Sequence, residues 1–275
     1  MIRIGAQVSY PQGLPQAIEE AGQAGLRCLQ IFSRNPVGGQ SAPLPPRDGV
    51  IGSLSQWNIS PLFIHAPYFV NPAALDPYKR ERAEAALIQE MRRAKRLSAQ
   101  YLVMHCGHQN PGGQDGESER ALVKTMTAML SAPGRILLEN GAGQGSEMGW
   151  RLEALGGILK GMGRGGRVGV MLDTAHALAA GYPLFSGRDF FTWRELVDHY
   201  IGWDRVRGIH LNDNPFPVGS RQDRHTHLLT GSLGKEALRE LLAWAARQDC
   251  PLILETPGRL VMDRAEDLKT IRALL

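Results

Sequence analysis

A single (β/α)8 barrel spanning residues 1–275 is the fold this sequence predicts, and three observations predict it. Eight short apolar runs rich in β-branched residues recur along the chain, each followed by a polar or glycine-containing turn and then by a segment with helical spacing. The repeats are spread evenly, without a linker or low-complexity break. Six of the eight runs end on a residue type that binds metal ions. Strand and crossover helix alternating at this regularity fit a closed barrel better than an open doubly wound sheet.

The candidate strands, in order, are IRIGA at 2–6, CLQIF at 28–32, LFIH at 62–65, YLVMH at 101–105, RILLE at 135–139, VGVMLD at 168–173, VRGIH at 206–210 and PLILE at 251–255. Helical spacing is weaker in LPQAIEEAGQAG at 14–25 and clearest at 76–98 and in GKEALRELLAWAARQ at 234–248. The segment NPVGGQSAPLPP at 35–46 has the composition of a linker, yet it falls directly after the second strand and so reads as a βα loop on the functional face. The basic run at 79–96 reads as the solvated face of its helix.

With 43% apolar and 21% charged residues, the chain has the composition of a globular protein with a substantial core. No run is apolar enough to span a bilayer, and MIRIGAQVSY lacks the pattern of a signal peptide, so the expectation is a cytoplasmic monomer without membrane association. Cys28, Cys106 and Cys250 are odd in number and widely separated, which implies neither a disulfide framework nor a zinc ribbon; buried apolar fillers are expected. A net charge of +4 permits a polyanionic partner without demanding one.

The strand ends carry the chemistry. His65, His105, Glu139, Asp173, His210 and Glu255 each close a candidate strand, and in a parallel barrel all such ends meet at one mouth. Any one of them could be a hydrogen-bonded core polar group, but six buried together without cations would be very unfavourable. His176 follows Asp173 by about one helical turn and would rise beside the mouth. The stretch GSRQDRHTH at 219–227 sets Asp223, His225 and His227 at alternate positions, either a solvated turn or, if extended, a row of ligands on one side. Asp223 and His225 are expected to point into the site, with His227 as a supporting hydrogen-bond partner. Nine candidate ligands exceed what one four-coordinate ion uses, so two or three metals are expected. The mixture of imidazole and carboxylate favours Zn²⁺, with Mn²⁺ or iron compatible at one position.

LLENGAGQGSEMG at 137–149, LDTAHALAAGY at 172–182, HLND at 210–213, GSRQDRH at 219–225 and LILETP at 252–257 give the chain a resemblance, over nearly its whole length, to the endonuclease IV family. Those enzymes are metal-dependent apurinic/apyrimidinic endonucleases of base excision repair, built on xylose-isomerase-like TIM barrels. The resemblance implies a trinuclear zinc cluster: His65 and His105 on one ion, Asp173, His210 and Glu255 on a second, Glu139 bridging the two, and His176, Asp223 and His225 on the third. It further implies hydrolysis of the phosphodiester 5′ to an abasic site, leaving a 3′-hydroxyl, with Glu139 and Glu255 as catalytic carboxylates. Four carboxylates of about −4 against three Zn²⁺ of about +6 leave a net positive site for a phosphodiester, so no lysine or serine nucleophile is required.

The partner so implied is double-stranded DNA with abasic or damaged sites. Tyr68 and Phe69, in HAPYFVNPA at 65–73, lie where such enzymes place residues that enter the minor groove and stack at the lesion; the alternative is that both pack the loop onto the barrel. Arg224, between two ligands, is placed to reach a phosphate. The family's loop after the second strand carries an arginine and then an aromatic just beyond an Asn-Pro-like turn. Here SRNPVGGQSAPLP has neither: Arg34 precedes the turn and Arg47 lies well beyond it.

Three other readings compete. A sugar isomerase or epimerase of the xylose-isomerase-like group would use Glu139, Asp173, His210 and Glu255, but gives no reason for the other five ligand types. A noncatalytic metal- or DNA-binding protein fits poorly, because closed structural zinc sites favour thiolates clustered in sequence. The glycines of GAGQGSEMG follow a ligand glutamate and lack the Lys-Ser/Thr of a nucleotide loop. His108 and His199 are expected to be structural.

Overall fold

The computed structural model describes residues 2–38, 43–114, 116–163 and 166–275. Eight parallel strands close in sequence order into one barrel: β1 (Ile4–Gln7), β2 (Cys28–Phe32), β3 (Leu62–His65), β4 (Tyr101–His105), β5 (Ile136–Glu139), β6 (Val168–Asp173), β7 (Val206–His210) and β8 (Leu252–Leu254). Every strand lies within a segment expected from the sequence or displaced from it by one residue. The expected long helices are found at Leu14–Gln23, Pro77–Arg96 and Lys235–Gln248. In the loop at 35–46, residues 39–42 lie outside the described residues. No helix among the described residues is long and apolar enough to cross a membrane.

Side chains alternate across a strand, and here the alternation sorts two cores. Leu29, Ile31, Leu62, Ile64, Leu102, Met104, Leu138 and Leu172 face outward and pack with the helices in one apolar cluster. Cys28, Phe63, Val103, Leu137, Met171 and Ile253, one step out of phase, form a second cluster that fills the inside of the barrel. Burying an aliphatic or aromatic side chain of this size contributes about 1.5–3 kcal/mol. Gly208 makes the filling possible: a Cβ there would lie 3.0 Å from Met171 Sδ and 3.3 Å from Phe63.

The same phase continues upward. Two residues beyond Phe63, Val103, Leu137, Met171 and Ile253 stand His65, His105, Glu139, Asp173 and Glu255, and His210 stands two beyond Gly208. An apolar plug therefore supports a polar layer at the C-terminal mouth. The three cysteines are buried and unpaired, as expected of fillers.

Helix Pro77–Arg96 determines where one expected DNA contact goes. Asp76 caps it by accepting the Lys79 N–H at 2.8 Å, Pro77 occupies the first turn, and Arg93, Lys95 and Arg96 complement the C-terminal end of the dipole. Its buried face is Ala83, Leu87, Glu90, Met91 and Ala94. Glu90 is thus a carboxylate inside the packing, and Ser33 and Arg34 both donate to it. Arg34 also donates to Gln89 at 2.7 Å.

Candidate metal centre

Side chains at the mouth gather into three groups, each able to hold a metal ion: His65, His105 and Glu139; Glu139, Asp173, His210 and Glu255; and Asp173, His176 and His225. Within each group the candidate ligand atoms all lie within 4.8 Å of one another. Asp223 joins the third group through Oδ1, which is 3.1 Å from His176 Nε2 and 3.7 Å from His225 Nε2. All nine residues singled out from the sequence therefore meet in one place. Glu139 is common to the first two groups, and Asp173, expected in the second alone, also reaches the third.

The chain places these atoms by simple local means. β3 and β4 end on His65 and His105, and β5, β6 and β7 on Glu139, Asp173 and His210. Glu255 is the residue after β8, fixed by Asn212 Oδ1, which accepts its N–H at 2.8 Å. Asp173 is both the last strand residue and the cap of the short helix Thr174–Ala180, its Oδ1 accepting the His176 N–H at 2.8 Å. That cap aims His176 at the mouth. Asp223 is held by Gln144 Oε1, which accepts its N–H at 3.1 Å. His227 turns out of the row: its Nδ1 bonds Asp267 at 2.9 Å.

Each of the five histidines has one ring nitrogen engaged behind and the other turned to the carboxylates. Nδ1 of His65 donates to the Ala66 carbonyl at 2.8 Å, and that of His176 to the Asn140 carbonyl at 2.8 Å. His105 Nδ1 lies 3.3 Å from Glu147, and His225 Nδ1 3.3 Å from the Glu255 carbonyl. His210 is reversed, with Nε2 donating to Gln30 Oε1 at 2.9 Å and Nδ1 facing Glu139 at 2.9 Å and Glu255 at 3.2 Å. Fixing the rear nitrogen fixes the tautomer and orients the front lone pair. His225 Nε2 is buried with no hydrogen-bond partner, as a ligand atom without its ion would be.

Spacing agrees with that reading. Ligands at zinc distances in a tetrahedron are about 3.3 Å apart. His65 Nε2 and His105 Nε2 lie 3.1 and 3.7 Å from Glu139 Oε2, and His225 Nε2 lies 3.6 Å from Asp173 Oδ2. Charge agrees too. Burial alone would lower the His105 pKa, but the Glu139 charge and the Glu147 hydrogen bond raise it to about 9. Burial likewise opposes protonation of His210, yet the Glu255 and Glu139 charges bring it to about 9. Positive charge is favoured wherever these carboxylates converge, which is the condition for binding cations in place of protons.

The layer is closed below and open above. Asp173 and His210 are fully buried, whereas the side chains of His105, His225 and Asp223 keep 23%, 20% and 36% exposure toward the mouth. Beside them a cavity of about 220 Å³ is lined by Tyr68, Pro72, His105, Gln144, Glu147 and Asp223 among others. Tyr68 and Phe69 are exposed, and the Tyr68 ring lies 5.5 Å from His65 and 6.0 Å from His105 between centroids. Arg224 is exposed beside the ligands, whereas Arg34 is bound back to Glu90 and Gln89. His108 pairs with Glu147 across an isolated backbone bridge and lines the same cavity, and His199 packs on Tyr200.

Sequence reasoning passed over Gln30, Asn140, Asn212 and Glu147. Asn140 Oδ1 accepts the Asp173 N–H at 2.6 Å, and Asn212 Nδ2 donates to Asp173 Oδ2 at 2.7 Å. Gln30 donates to Glu255 Oε1 at 2.6 Å. A signal for Gln30 was present: it is the one amide in the apolar run CLQIF, on the inward phase of β2.

A family model described as xylose isomerase-like TIM barrel matches residues 18–275. A probable endonuclease 4 from Methanoculleus marisnigri is 36% identical over 264 residues, 94% of this chain and 93% of that one. One from Halorhodospira halophila is 35% identical, covering 94% of this chain and 89% of its own. Among solved structures, the crystal structure of endonuclease IV from Thermus thermophilus superposes with a TM-score of 0.83 at 31% identity, over 99% of this chain and 98% of that one. A D-tagatose 3-epimerase-like protein superposes with a TM-score of 0.73 at 16% identity, over 99% and 97%, a likeness of fold alone.

Proposed function

The chain belongs to the endonuclease IV family of xylose isomerase-like TIM barrels, and from that premise we propose that it cuts the phosphodiester 5′ to an abasic nucleotide in duplex DNA and leaves a 3′-hydroxyl. It is a metal-dependent AP endonuclease of that type. The observation that carries the finer reading is the arrangement of five histidines, each anchored at one nitrogen and presenting the other to four carboxylates.

In this reading His65, His105 and Glu139 would hold one zinc ion, Glu139, Asp173, His210 and Glu255 a second, and His176, Asp223 and His225 the third. Asp173 bonds with Asn140 and Asn212 and stands between the second and third groups. When bound, the ions supply Lewis acidity toward the phosphodiester and a nucleophile drawn from water at neutral pH. The chain's own groups do the rest. Glu255, fixed by Gln30 and Asn212, orients the attacking water and takes its proton. Glu139, with His65 on one oxygen and His210 on the other, is fixed where it would serve as a ligand in both the first and the second group. The apolar plug beneath excludes water from below, so the substrate phosphate meets the site only through the mouth. Tyr68, Phe69 and Arg224 border that entrance and are assigned to the DNA. Arg34 is already engaged by Glu90, so its part in DNA contact requires that pair to open.

The isomerase alternative accounts for Glu139, Asp173, His210 and Glu255 but leaves the remaining five ligand types without a role. The deciding experiment is incubation of the purified protein with a labelled duplex carrying one synthetic abasic site. Scission on the 5′ side with a 3′-hydroxyl supports the reading; an intact duplex alongside turnover of a ketose would overturn it.

A further inference from the structure

At the rim of the mouth two guanidinium groups share one indole. Arg151 Cζ lies 4.6 Å and Arg221 Cζ 4.4 Å from the Trp150 ring centroid. Both arginines are exposed, and among the described residues neither guanidinium has an acidic partner within salt-bridge distance or a hydrogen-bond acceptor. Guanidinium is the cationic side chain whose planar fork of donors matches the oxygens of an anion, and here two are held exposed beside the same indole.

The backbone fixes this arrangement next to the metal centre. Trp150 and Arg151 end the loop after β5, the same loop whose Gln144 binds the Asp223 backbone. Arg221 stands two residues before Asp223, with its N–H bonded to the Ala179 carbonyl at 3.0 Å and its φ at 52°. The neighbouring Gly219 N–H bonds the Leu178 carbonyl at 2.9 Å. Both arginines thus come from loops tied to candidate ligands, and the cation–π contacts order their long side chains before any partner arrives.

We propose that Arg151 and Arg221, ordered on Trp150, each contact a phosphate of the DNA backbone beside the scissile one, on the Asp223 side of the mouth. The proposal rests on the endonuclease reading above. Phosphate fits because guanidinium N–H groups match its oxygens, and a backbone contact positions the duplex without reading its sequence.

The test is equilibrium binding of an intact duplex, and of one carrying an uncleavable abasic-site analogue, between about 50 and 200 mM salt. Arg151→Gln and Arg221→Gln should each flatten the slope of log affinity against log salt by about 1, on both duplexes alike, and the double variant by about 2. Trp150→Leu keeps both charges but removes the ring that orders them, and should weaken binding about two- to fivefold. Metal content should be unchanged in all of them. If the double variant binds with the parent's affinity and slope while the parent incises abasic DNA, the phosphate contacts are wrong and the endonuclease reading stands; a parent that neither binds nor incises DNA overturns both.

Discussion

Glu147 holds His105 from behind, with Oε1 3.3 Å from His105 Nδ1. Its other oxygen accepts the N–H groups of Ala142 and Gly143 at 2.9 and 3.0 Å. One carboxylate thereby fixes both a candidate ligand and the loop that supplies Gln144 to Asp223. Partners of this kind are worth about 10–100-fold in metal affinity or activity. Glu147→Ala should therefore release metal from the group of His65, His105 and Glu139 at roughly tenfold lower chelator concentration than the parent. Elemental analysis after graded dialysis reads this out, and equal retention would show that His105 needs no such support.

Nine convergent ligands should hold two to three divalent ions per chain, mostly zinc, in protein as purified. A content of one or less in freshly prepared active protein would count against the cluster. Removing the ions leaves Glu139, Asp173, Asp223 and Glu255 facing one another, so exhaustive chelation should lower the melting temperature by several degrees, and zinc should restore it. An unchanged melting curve would mean that the mouth is stable without cations.

Glu255→Gln keeps the volume and loses a charge that faces His210 at 3.2 Å. The variant should fold with near-normal thermal stability but lose incision by at least about a hundredfold. Near-normal turnover would place the catalytic carboxylate elsewhere.

What the sequence disclosed follows from which interactions are local. Each strand carries its own period of two, so a ligand at the end of LFIH or RILLE is visible from the run itself, and β-strand phase alone places it above the plug. His176 is legible for the same reason, one helical turn from Asp173. Gln30 shows in its run only as a polar residue on the inward phase; its meaning lies in His210, which is 180 residues away and adjoins it only once the barrel closes. Arg34 shows the opposite failure. Its position before the Asn-Pro turn places it near the mouth, but its partner Glu90 sits in a run read as solvated helix surface. Only the packing of that helix, which buries Glu90 between Leu87 and Met91, shows that the arginine is already engaged.

The loop after β2 lacks the family's usual arginine, and Arg34 is bound to Glu90, so under the proposed function lesion recognition is expected to fall more heavily on Tyr68 and Phe69. The two residues are not equivalent tests. The Tyr68 ring borders His65 and His105 and packs edge-on to Phe32 at 5.4 Å, so Tyr68→Ala also removes a wall of the metal centre. Phe69 is 47% exposed, its ring stands beside Gly38, and it has no ring contact with His65 or His105 of the kind Tyr68 makes, which makes Phe69→Ala the cleaner probe. Stacking on one aromatic is worth about 1–3 kcal/mol per base, so Phe69→Ala should weaken binding to an abasic duplex by roughly five- to 150-fold. Binding to an intact duplex should fall much less, and neither metal content nor the salt slope, which phosphate contacts set, should move. Equilibrium titration of both duplexes at several salt concentrations separates these terms. Equal losses on the two duplexes would mean that Phe69 only supports its loop, leaving the lesion to be sensed by Tyr68 or by an Arg34 released from Glu90.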